Sequence, residues 1–187
     1  EDLKKKVGKD TAGVYFENPN YLGVIETRGE EISRIAHEAG AESLVGVDPI
    51  TLGVMAPPPE YGADIVCGEL QPLGIHMNYG GGLAGFMATR DEEDYVNEYP
   101  SRLFGIAPTT HPGEYGFGDV AYDRTSFGNL RDGAKEYVGT QAALWGLTAG
   151  VYLATMGPAG MEEVGQTCMQ NARYAVQKLN EINGIKA

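Results

Sequence analysis

Polar and glycine residues stand at the ends of three short apolar segments in the middle of the chain, where a ligand could bind. The three segments have the composition of buried strands: Ser43–Val47, Ala63–Gly68 and Leu83–Thr89. Asp48 follows the first segment, Glu69-Leu70-Gln71-Pro72 follows the second, and Gly80-Gly81-Gly82 precedes the third. Strands buried on both faces are typical of α/β proteins, which bind ligands at the carboxyl ends of their strands. We therefore predict the floor of a site here, with a carboxylate at Asp48 and close backbone approach at the glycines.

Other motifs of known chemistry are out of context or missing from the sequence. Gly80, Gly82 and Gly85 match G-x-G-x-x-G, but a predicted strand follows them, whereas a dinucleotide fingerprint needs a helix there. The three histidines are too scattered for a recognisable metal motif: His37, His76 and His111. The sequence contains no C-x-x-C and no G-x-S-x-G. It therefore predicts no metal site, no nucleotide fingerprint and no serine-hydrolase nucleophile.

The composition excludes several classes of protein. The chain has 187 residues, 42% of them hydrophobic, which suffices for one sizeable domain or part of a larger one. Its formal net charge of -12 argues against nucleic-acid binding, because such proteins present a basic face. No apolar run approaches the roughly 18 residues that cross a membrane. Cys67 and Cys168 resemble buried reduced thiols more than a disulfide framework, so a cytoplasmic location is expected.

The elements that position the first polar residue form a predicted βαβ unit. Thr11–Glu17 has the pattern of a strand, and the segment from Thr27 to Gly40 has helical spacing. Thr27 and Glu30 have the spacing of a capping box. The strand Ser43–Val47 follows, so the two strands are expected to be parallel. His37 falls beside the apolar stripe of the helix and is interpreted as a solvated residue.

The later part of the chain is predicted to contain a loop and two helices. Ala56–Glu60 is read as a stiff spacer because of its three prolines, and Asp91–Asp94 as the first turn of a short helix. Residues 105–133 have the composition of a long loop. Ala134–Met156 forms the first helix, and Gly157-Pro158 separates it from the second. The second helix has an apolar face: Met161, Val164, Cys168, Ala172, Ala175, Val176, Leu179 and Ile182.

Six segments carry a resemblance to the glycine cleavage P-protein family, the glycine decarboxylases. They are Asn18-Pro19-Asn20-Tyr21-Leu22-Gly23, Asp48-Pro49-Ile50-Thr51-Leu52-Gly53, Glu60-Tyr61-Gly62-Ala63-Asp64-Ile65, Gly68-Glu69-Leu70-Gln71-Pro72-Leu73-Gly74, Tyr79-Gly80-Gly81-Gly82-Leu83-Ala84-Gly85-Phe86 and Pro100-Ser101-Arg102-Leu103-Phe104-Gly105. They are similar to the family's PNFFG, DPISLG, EYGADI, GEGQPLG, SFGGPYLGFFA and PGRLVG. Their order and approximate spacing hold over residues 11–105, and together they are specific.

The resemblance implies a fold and a division of the chain. The fold is α/β, with a mostly parallel sheet and helices on both faces, and it is the aspartate-aminotransferase-like fold (fold type I) of pyridoxal phosphate (PLP) enzymes. Residues 1–133 would form part of the large α/β domain. Residues 134–187 would form a helical pair leading towards a C-terminal small domain.

The resemblance also assigns roles to single residues. Gln71, followed by Pro72, stands where the family's catalytic subunit carries the lysine that binds PLP covalently, and the sequence has no lysine between Lys9 and Lys135. Asp48 stands where PLP enzymes place the carboxylate that pairs with the pyridine nitrogen, or it is only a turn residue before Pro49. The remaining cofactor-side residues are His76, Gly80 and Gly81. No catalytic residue is expected in this segment.

The implied function is that of subunit 1, the subunit of glycine decarboxylase that does not bind PLP covalently. Its partners would be the PLP-bearing subunit 2 and the lipoyl H-protein, which receives the aminomethyl group left when glycine loses CO2. Two alternatives stay open. The chain could be a non-catalytic dimerisation or regulatory module of the same fold, or part of a related PLP enzyme that acts on another amine.

Overall fold

The computed structural model of the chain describes residues 2–77, 83–99, 103–119 and 142–187. The chain divides into two compact units, one formed by Glu1–Ala88 with Leu144–Ala187 and the other by Thr89–Ala143. The first unit holds the sheet and the long helix that surround the candidate site. The second unit holds a short helix and a β-hairpin.

A four-stranded sheet forms the centre of the first unit. Its strands follow the order of the chain: β1 (Gly13–Glu17), β2 (Glu42–Val47), β3 (Ile65–Glu69) and β4 (Gly85–Thr89). The pairs β1–β2 and β2–β3 are parallel, with Tyr15 opposite Leu44 and Gly46 opposite Cys67. The strands predicted from the apolar segments and the parallel βαβ unit are thus confirmed, with small differences at the strand ends, but β4 is largely exposed rather than buried. The buried core of the sheet includes Val45 and Val66, against which Phe16 and Phe86 pack.

A first short helix, α1 (Asp2–Lys6), lies near the amino terminus. Helix α2 (Gly29–Glu38) connects β1 to β2. The predicted capping box is wrong: the helix begins at Gly29 and has no side-chain cap. A β-carbon at Gly29 would lie 2.8 Å from the ring of Tyr61, so the first turn of the helix packs closely against that ring.

His37 is exposed on α2, as predicted, and it also makes a contact that its position in the helix does not indicate. Its Nε2 lies 2.7 Å from Oδ2 of Asp64, a carboxylate that is only 6% exposed. The same oxygen accepts a hydrogen bond from the Ser43 backbone N–H at 2.8 Å. His37 therefore ties α2 to the segment that leads into β3, a pairing between residues 27 positions apart that helical spacing cannot reveal.

Two segments predicted to lack regular structure are ordered in the described part of the chain. Pro58–Tyr61 forms a 3-10 turn, because proline is tolerated at the first positions of a helical turn, where no N–H donor is needed. The predicted loop 105–133 begins with an antiparallel hairpin of β5 (Phe104–Pro108) and β6 (Tyr115–Asp119). Its glycine and proline content indicated a loop, although large side chains do alternate with small ones in both strands. The short helix α3 (Glu93–Val96) confirms the helix predicted near Asp91–Asp94.

Helix α4 (Ala143–Asn180) contains the predicted break. Gly157 has φ 61° and ψ -177°, which interrupts the helix before Pro158 and confirms the Gly-Pro boundary. The predicted apolar face of the second half is covered only at its start, where Met161 is 9% exposed, whereas Leu179 is 41% exposed. Cys168 is exposed rather than buried, so the prediction of a buried thiol is wrong there. No helix within the described ranges combines the length and apolar character required to cross a membrane.

Candidate functional site

A cleft of about 890 Å3 opens in the first unit at the carboxyl ends of β1, β2 and β3. Each of these strands contributes its last residues: Tyr15 and Glu17, Gly46 and Val47, and Cys67, Gly68 and Glu69. This is the edge at which α/β proteins bind ligands. Two further walls come from the loop after β1 and from the second half of α4.

Asp48 lies in the cleft wall, exposed, directly after β2. Its Oδ1 accepts a hydrogen bond from the Ile50 backbone N–H at 2.9 Å. Its carbonyl oxygen accepts one from the Thr51 hydroxyl at 2.7 Å and another from the Thr51 N–H. These bonds make Asp48 the first residue of an Asx-type turn around Pro49. The carboxylate of Asp48 therefore stabilises this turn, since one of its oxygens accepts the hydrogen bond from the Ile50 N–H.

The wall formed by β1 carries a phenol and a carboxylate in contact. The hydroxyl of Tyr15 donates to Oε1 of Glu17 at 3.1 Å. Partial burial of the ring, and then this hydrogen bond to Glu17, hold the pKa of Tyr15 above its ordinary value of 10.0. Gly46 makes room for the pair, because a β-carbon there would lie 2.5 Å from the Tyr15 hydroxyl oxygen and 3.2 Å from Glu17 Cγ.

The loop after β1 forms a second wall, and its asparagines hold it in place. Asn18 Oδ1 accepts from the Glu26 N–H at 3.0 Å, and its Nδ2 donates to the Glu26 carbonyl at 3.2 Å. Asn20 Oδ1 accepts from the N–H groups of Leu22 at 3.0 Å and Val24 at 3.1 Å. The sequence identified this segment as a turn but did not predict that it lines the cleft.

Helix α4 forms the third wall because two glycines let it approach the turn after β2. A β-carbon on Gly53 would lie 2.6 Å from the Met161 carbonyl carbon, and one on Gly165 would lie 3.1 Å from the Ile50 carbonyl oxygen. This contact brings Cys168, Met169, Ala172 and Arg173 to the cleft. Sequence reasoning missed all four as site residues, since they stand about 100 residues after β3. The apolar spacing in this helix was the only signal.

Several residues predicted to meet a cofactor lie elsewhere. Gln71 does not line the cleft; its N–H donates to Glu69 Oε1 at 3.1 Å, while Glu69 and Pro72 face the cleft. His76 is exposed and is not among the lining residues. Gly80 and Gly81 lie outside the described residues. Of the predicted residues that the structure describes, only Asp48 lines the cleft.

The lining residues do not fit covalently bound PLP. The described walls carry three carboxylates, Glu17, Asp48 and Glu69, and one guanidinium, Arg173, but no lysine or histidine. The aldehyde of PLP needs an amine to form its covalent linkage. Within the described residues there is also no group of three His, Cys, Asp or Glu that could hold a metal ion. The described walls of the cleft therefore lack the amine nucleophile of a PLP enzyme.

Comparison with known proteins gives consistent results along the whole chain. The family model of the glycine cleavage system P-protein matches residues 1–186. The probable glycine dehydrogenase (decarboxylating) subunit 1 of Pyrococcus furiosus is 41% identical over 186 residues, which cover 99% of this chain and 41% of that protein. The protein of the same name from Staphylothermus marinus is 38% identical over 182 residues, 97% of this chain and 38% of that protein. The chain thus spans about two fifths of the length of these curated relatives.

Solved structures agree with the sequence comparisons. A crystal structure of glycine decarboxylase (P-protein) of the glycine cleavage system, in inhibitor-bound form, matches with a TM-score of 0.84 and 36% identity. The match covers 95% of this chain and 40% of that one. A methionine gamma lyase from Micromonospora echinospora matches with a TM-score of 0.54 and 19% identity, a likeness of fold alone. The predicted fold, an α/β fold of type I with a mostly parallel sheet, is confirmed.

Proposed function

Because the chain belongs to the glycine cleavage system P-protein family, we propose that it is part of subunit 1 of glycine dehydrogenase (decarboxylating), the subunit that does not bind PLP covalently. In this proposal the PLP-bearing subunit 2 is its partner, and this chain supports the decarboxylation of glycine. PLP on the partner supplies the electron sink for the loss of CO2. The aminomethyl group then passes to the lipoyl H-protein.

One observation carries the proposal: the family match extends along the chain, yet the walls of the cleft carry no lysine among the residues that the structure describes. The sequence has no lysine between Lys9 and Lys135, and Gln71-Pro72 follows β3. The wall of the cleft at that point is formed by Glu69 and Pro72. A subunit that keeps the fold without the nucleophile is suited to a supporting task beside a subunit that has it.

Large apolar side chains are exposed among the described residues, for example Tyr21, Leu147, Val151 and Phe117. Such surface is typical of a chain that packs against other polypeptide, either the rest of its own subunit or a partner.

We also propose a cytoplasmic location. The two cysteines of the sequence, Cys67 and Cys168, are both free thiols although both line the same cleft. Free thiols are the usual state in a reducing compartment.

The test is reconstitution of glycine decarboxylation from purified parts. The complete subunit 1 that contains this chain, subunit 2 and lipoylated H-protein are mixed, and the exchange of labelled CO2 with the glycine carboxyl group is followed. We expect exchange that requires all three proteins and none when residues 1–187 alone replace subunit 1. Equal exchange by subunit 2 and H-protein without subunit 1 would contradict the proposal and favour a dimerisation or regulatory module.

A second measurement distinguishes the alternative that the chain itself is a PLP enzyme for another amine. The chain is incubated with PLP and reduced with borohydride, which fixes any PLP–lysine linkage, and the product is mapped by mass spectrometry. We expect no stoichiometric label on any lysine. A full label on Lys135 would place the cofactor on this chain and would overturn its supporting role.

A further inference from the structure

The first half of helix α4 packs against the rest of the first unit through one of its sides. Ala149 is 3% exposed and belongs to a buried cluster with Leu73, against which Tyr152 and Met156 pack. The segment 143–161 contains no charged residue. A helix on a protein surface normally has a charged or polar face, whereas a helix that is apolar all round lies in a protein interior. We therefore expect the opposite side of this helix to be covered as well.

The opposite side carries large apolar side chains that are exposed. Leu144 is 62% exposed, Leu147 is 69% exposed and Val151 is 67% exposed. Residues three, four and seven positions apart lie on the same side of a helix, so these three side chains form a ridge. Beside the ridge, a β-carbon on Gly146 or Gly150 would meet nothing within 4 Å. These five residues form the outer face of α4, and its glycines let another backbone approach closely.

Two threonines lie in the same row as Leu144 and Val151, and the helix itself satisfies their hydroxyl groups. Thr148 Oγ1 donates to the Leu144 carbonyl at 2.9 Å, and Thr155 Oγ1 donates to the Val151 carbonyl at 2.7 Å. A buried hydroxyl needs a hydrogen-bond partner, and these two already have one without water. Apolar groups can therefore cover this side of the helix without the cost of an unsatisfied hydroxyl.

We propose that the outer face of α4 is covered by a segment of subunit 1 that lies outside residues 1–187. The inference rests on the proposed function, which makes this chain part of subunit 1. The chain covers 41% of the length of the subunit 1 from Pyrococcus furiosus, so more than half of such a subunit is available for this task. In the complete subunit, α4 is then a central helix with protein on both sides.

A segment of the same polypeptide fits the outer face better than a separate subunit does. An exposed apolar face without charges favours aggregation of a subunit that has not yet met its partner. A segment that is covalently connected has a high effective concentration at the face from the moment it is synthesised. The face is then already buried in free subunit 1, before subunit 2 binds.

The experiment measures how fast a thiol reagent reaches the outer face. Leu147→Cys is made in the complete subunit 1 that contains this chain and in residues 1–187 alone. Alkylation by N-ethylmaleimide is followed by peptide mass spectrometry, which separates position 147 from the native Cys67 and Cys168. We expect the reaction at position 147 to be at least about 30-fold slower in complete subunit 1, because it then requires local opening. Adding subunit 2 should change that rate less than about threefold, since the face is already covered.

The matched control is Glu163→Cys, on the same helix. Glu163 is exposed, and a charged side chain is expected to stay in water in the complete subunit. Its reaction rate should therefore differ less than about threefold between complete subunit 1 and residues 1–187. Circular dichroism confirms that each variant keeps its helix content.

A second variant fills the space beside the ridge. Gly150→Leu adds a side chain where residues 1–187 leave room, so it should not lower the Tm of residues 1–187. In complete subunit 1 the new side chain overlaps with the covering segment and should lower Tm by at least about 2 °C. The control Glu163→Leu should shift Tm less than about 2 °C in both forms, as surface substitutions do.

Each other result for position 147 assigns the outer face differently and overturns the inference. Slow alkylation that appears only after subunit 2 is added gives the face to the partner, and slow alkylation only at high concentrations of subunit 1 gives it to a second copy. Slow alkylation in residues 1–187 alone places the cover within those residues. Equally fast alkylation at positions 147 and 163 in complete subunit 1 leaves the face open.

The exchange of labelled CO2 separates this inference from the proposed function. If complete subunit 1 protects position 147 but supports no exchange, the proposed function fails and the covered face stands. If it supports exchange while position 147 stays as reactive as position 163, the inference fails and the proposed function stands.

Discussion

The close contact at Gly53 gives a prediction whose size can be worked out from the structure. Substitution Gly53→Ala adds a β-carbon that overlaps the Met161 carbonyl oxygen and lies 2.6 Å from its carbonyl carbon and 3.0 Å from the Glu162 nitrogen. All three are backbone atoms, so no side-chain rotation relieves the overlap. Helix α4 must shift away from the turn after β2, or the turn must distort.

The expected cost follows from what the contact buries. Leu73 is 2% exposed, Met161 is 9% exposed, and both belong to the buried cluster that packs α4 against the turns after β2 and β3. Exposing either side chain fully would cost about 1.5–3 kcal/mol, so the chain is expected to keep the helix docked and to accept strain. Overpacking of this kind costs about 1–3 kcal/mol. For a chain of this length, that corresponds to a fall in Tm of about 2–12 °C.

The assay is thermal unfolding followed by circular dichroism, with Gly150→Ala as the matched control. Gly150 also lies in α4, but a β-carbon there would meet nothing within 4 Å. Alanine in a helix interior is about 0.5–1 kcal/mol more favourable than glycine, so the control should raise Tm by roughly 1–4 °C. Substitution of glycine by alanine is thus expected to lower Tm at position 53 and to raise it at position 150. A Gly53→Ala protein at least as stable as the unaltered chain would refute the close docking of α4.

Two further perturbations test polar contacts. His37→Ala should destabilise the chain by about 1–3 kcal/mol in urea unfolding, because the buried Asp64 loses a hydrogen-bond partner. The control Arg34→Ala, which removes only an exposed ion pair on the same helix, should cost less than about 1 kcal/mol. Equal losses of stability would contradict the greater weight given to the contact between His37 and Asp64. The pKa of Tyr15 is raised in the folded state, so the neutral phenol stabilises the fold. This contribution to the free energy of unfolding is complete below pH 10.0 and is lost as the pH rises through the raised pKa of the folded state. Glu17→Gln should move the pKa of Tyr15 towards 10.0, while burial of the ring keeps it somewhat above that value. The pKa is measured by ultraviolet titration of the phenolate, with the titration of the Tyr15→Phe variant subtracted. An unchanged titration would count against the hydrogen bond between Tyr15 and Glu17.

Much of the fold followed from the sequence because its signals are local. The strands from β1 to β4 are short apolar runs, and the break at Gly157 follows from the conformational properties of glycine and proline. The hairpin of β5 and β6 was missed because the glycines and prolines of this segment indicated a loop, although Tyr115 and Phe117 alternate with glycines in β6. Antiparallel pairing between the two segments forms regular strands where the composition indicated a loop.

The sequence alone determined that Asp48 follows a strand and that no lysine lies between Lys9 and Lys135, so the cleft could be identified as one without its own amine. Tertiary structure decided which side chains share that cleft. It brought Arg173 to the strand ends by docking α4 through glycine contacts, and it left Gln71 out because the turn after β3 directs Glu69 and Pro72 inward instead. Contacts between residues about 100 positions apart, and the direction of a side chain within a turn, depend on packing that no local pattern of residues encodes.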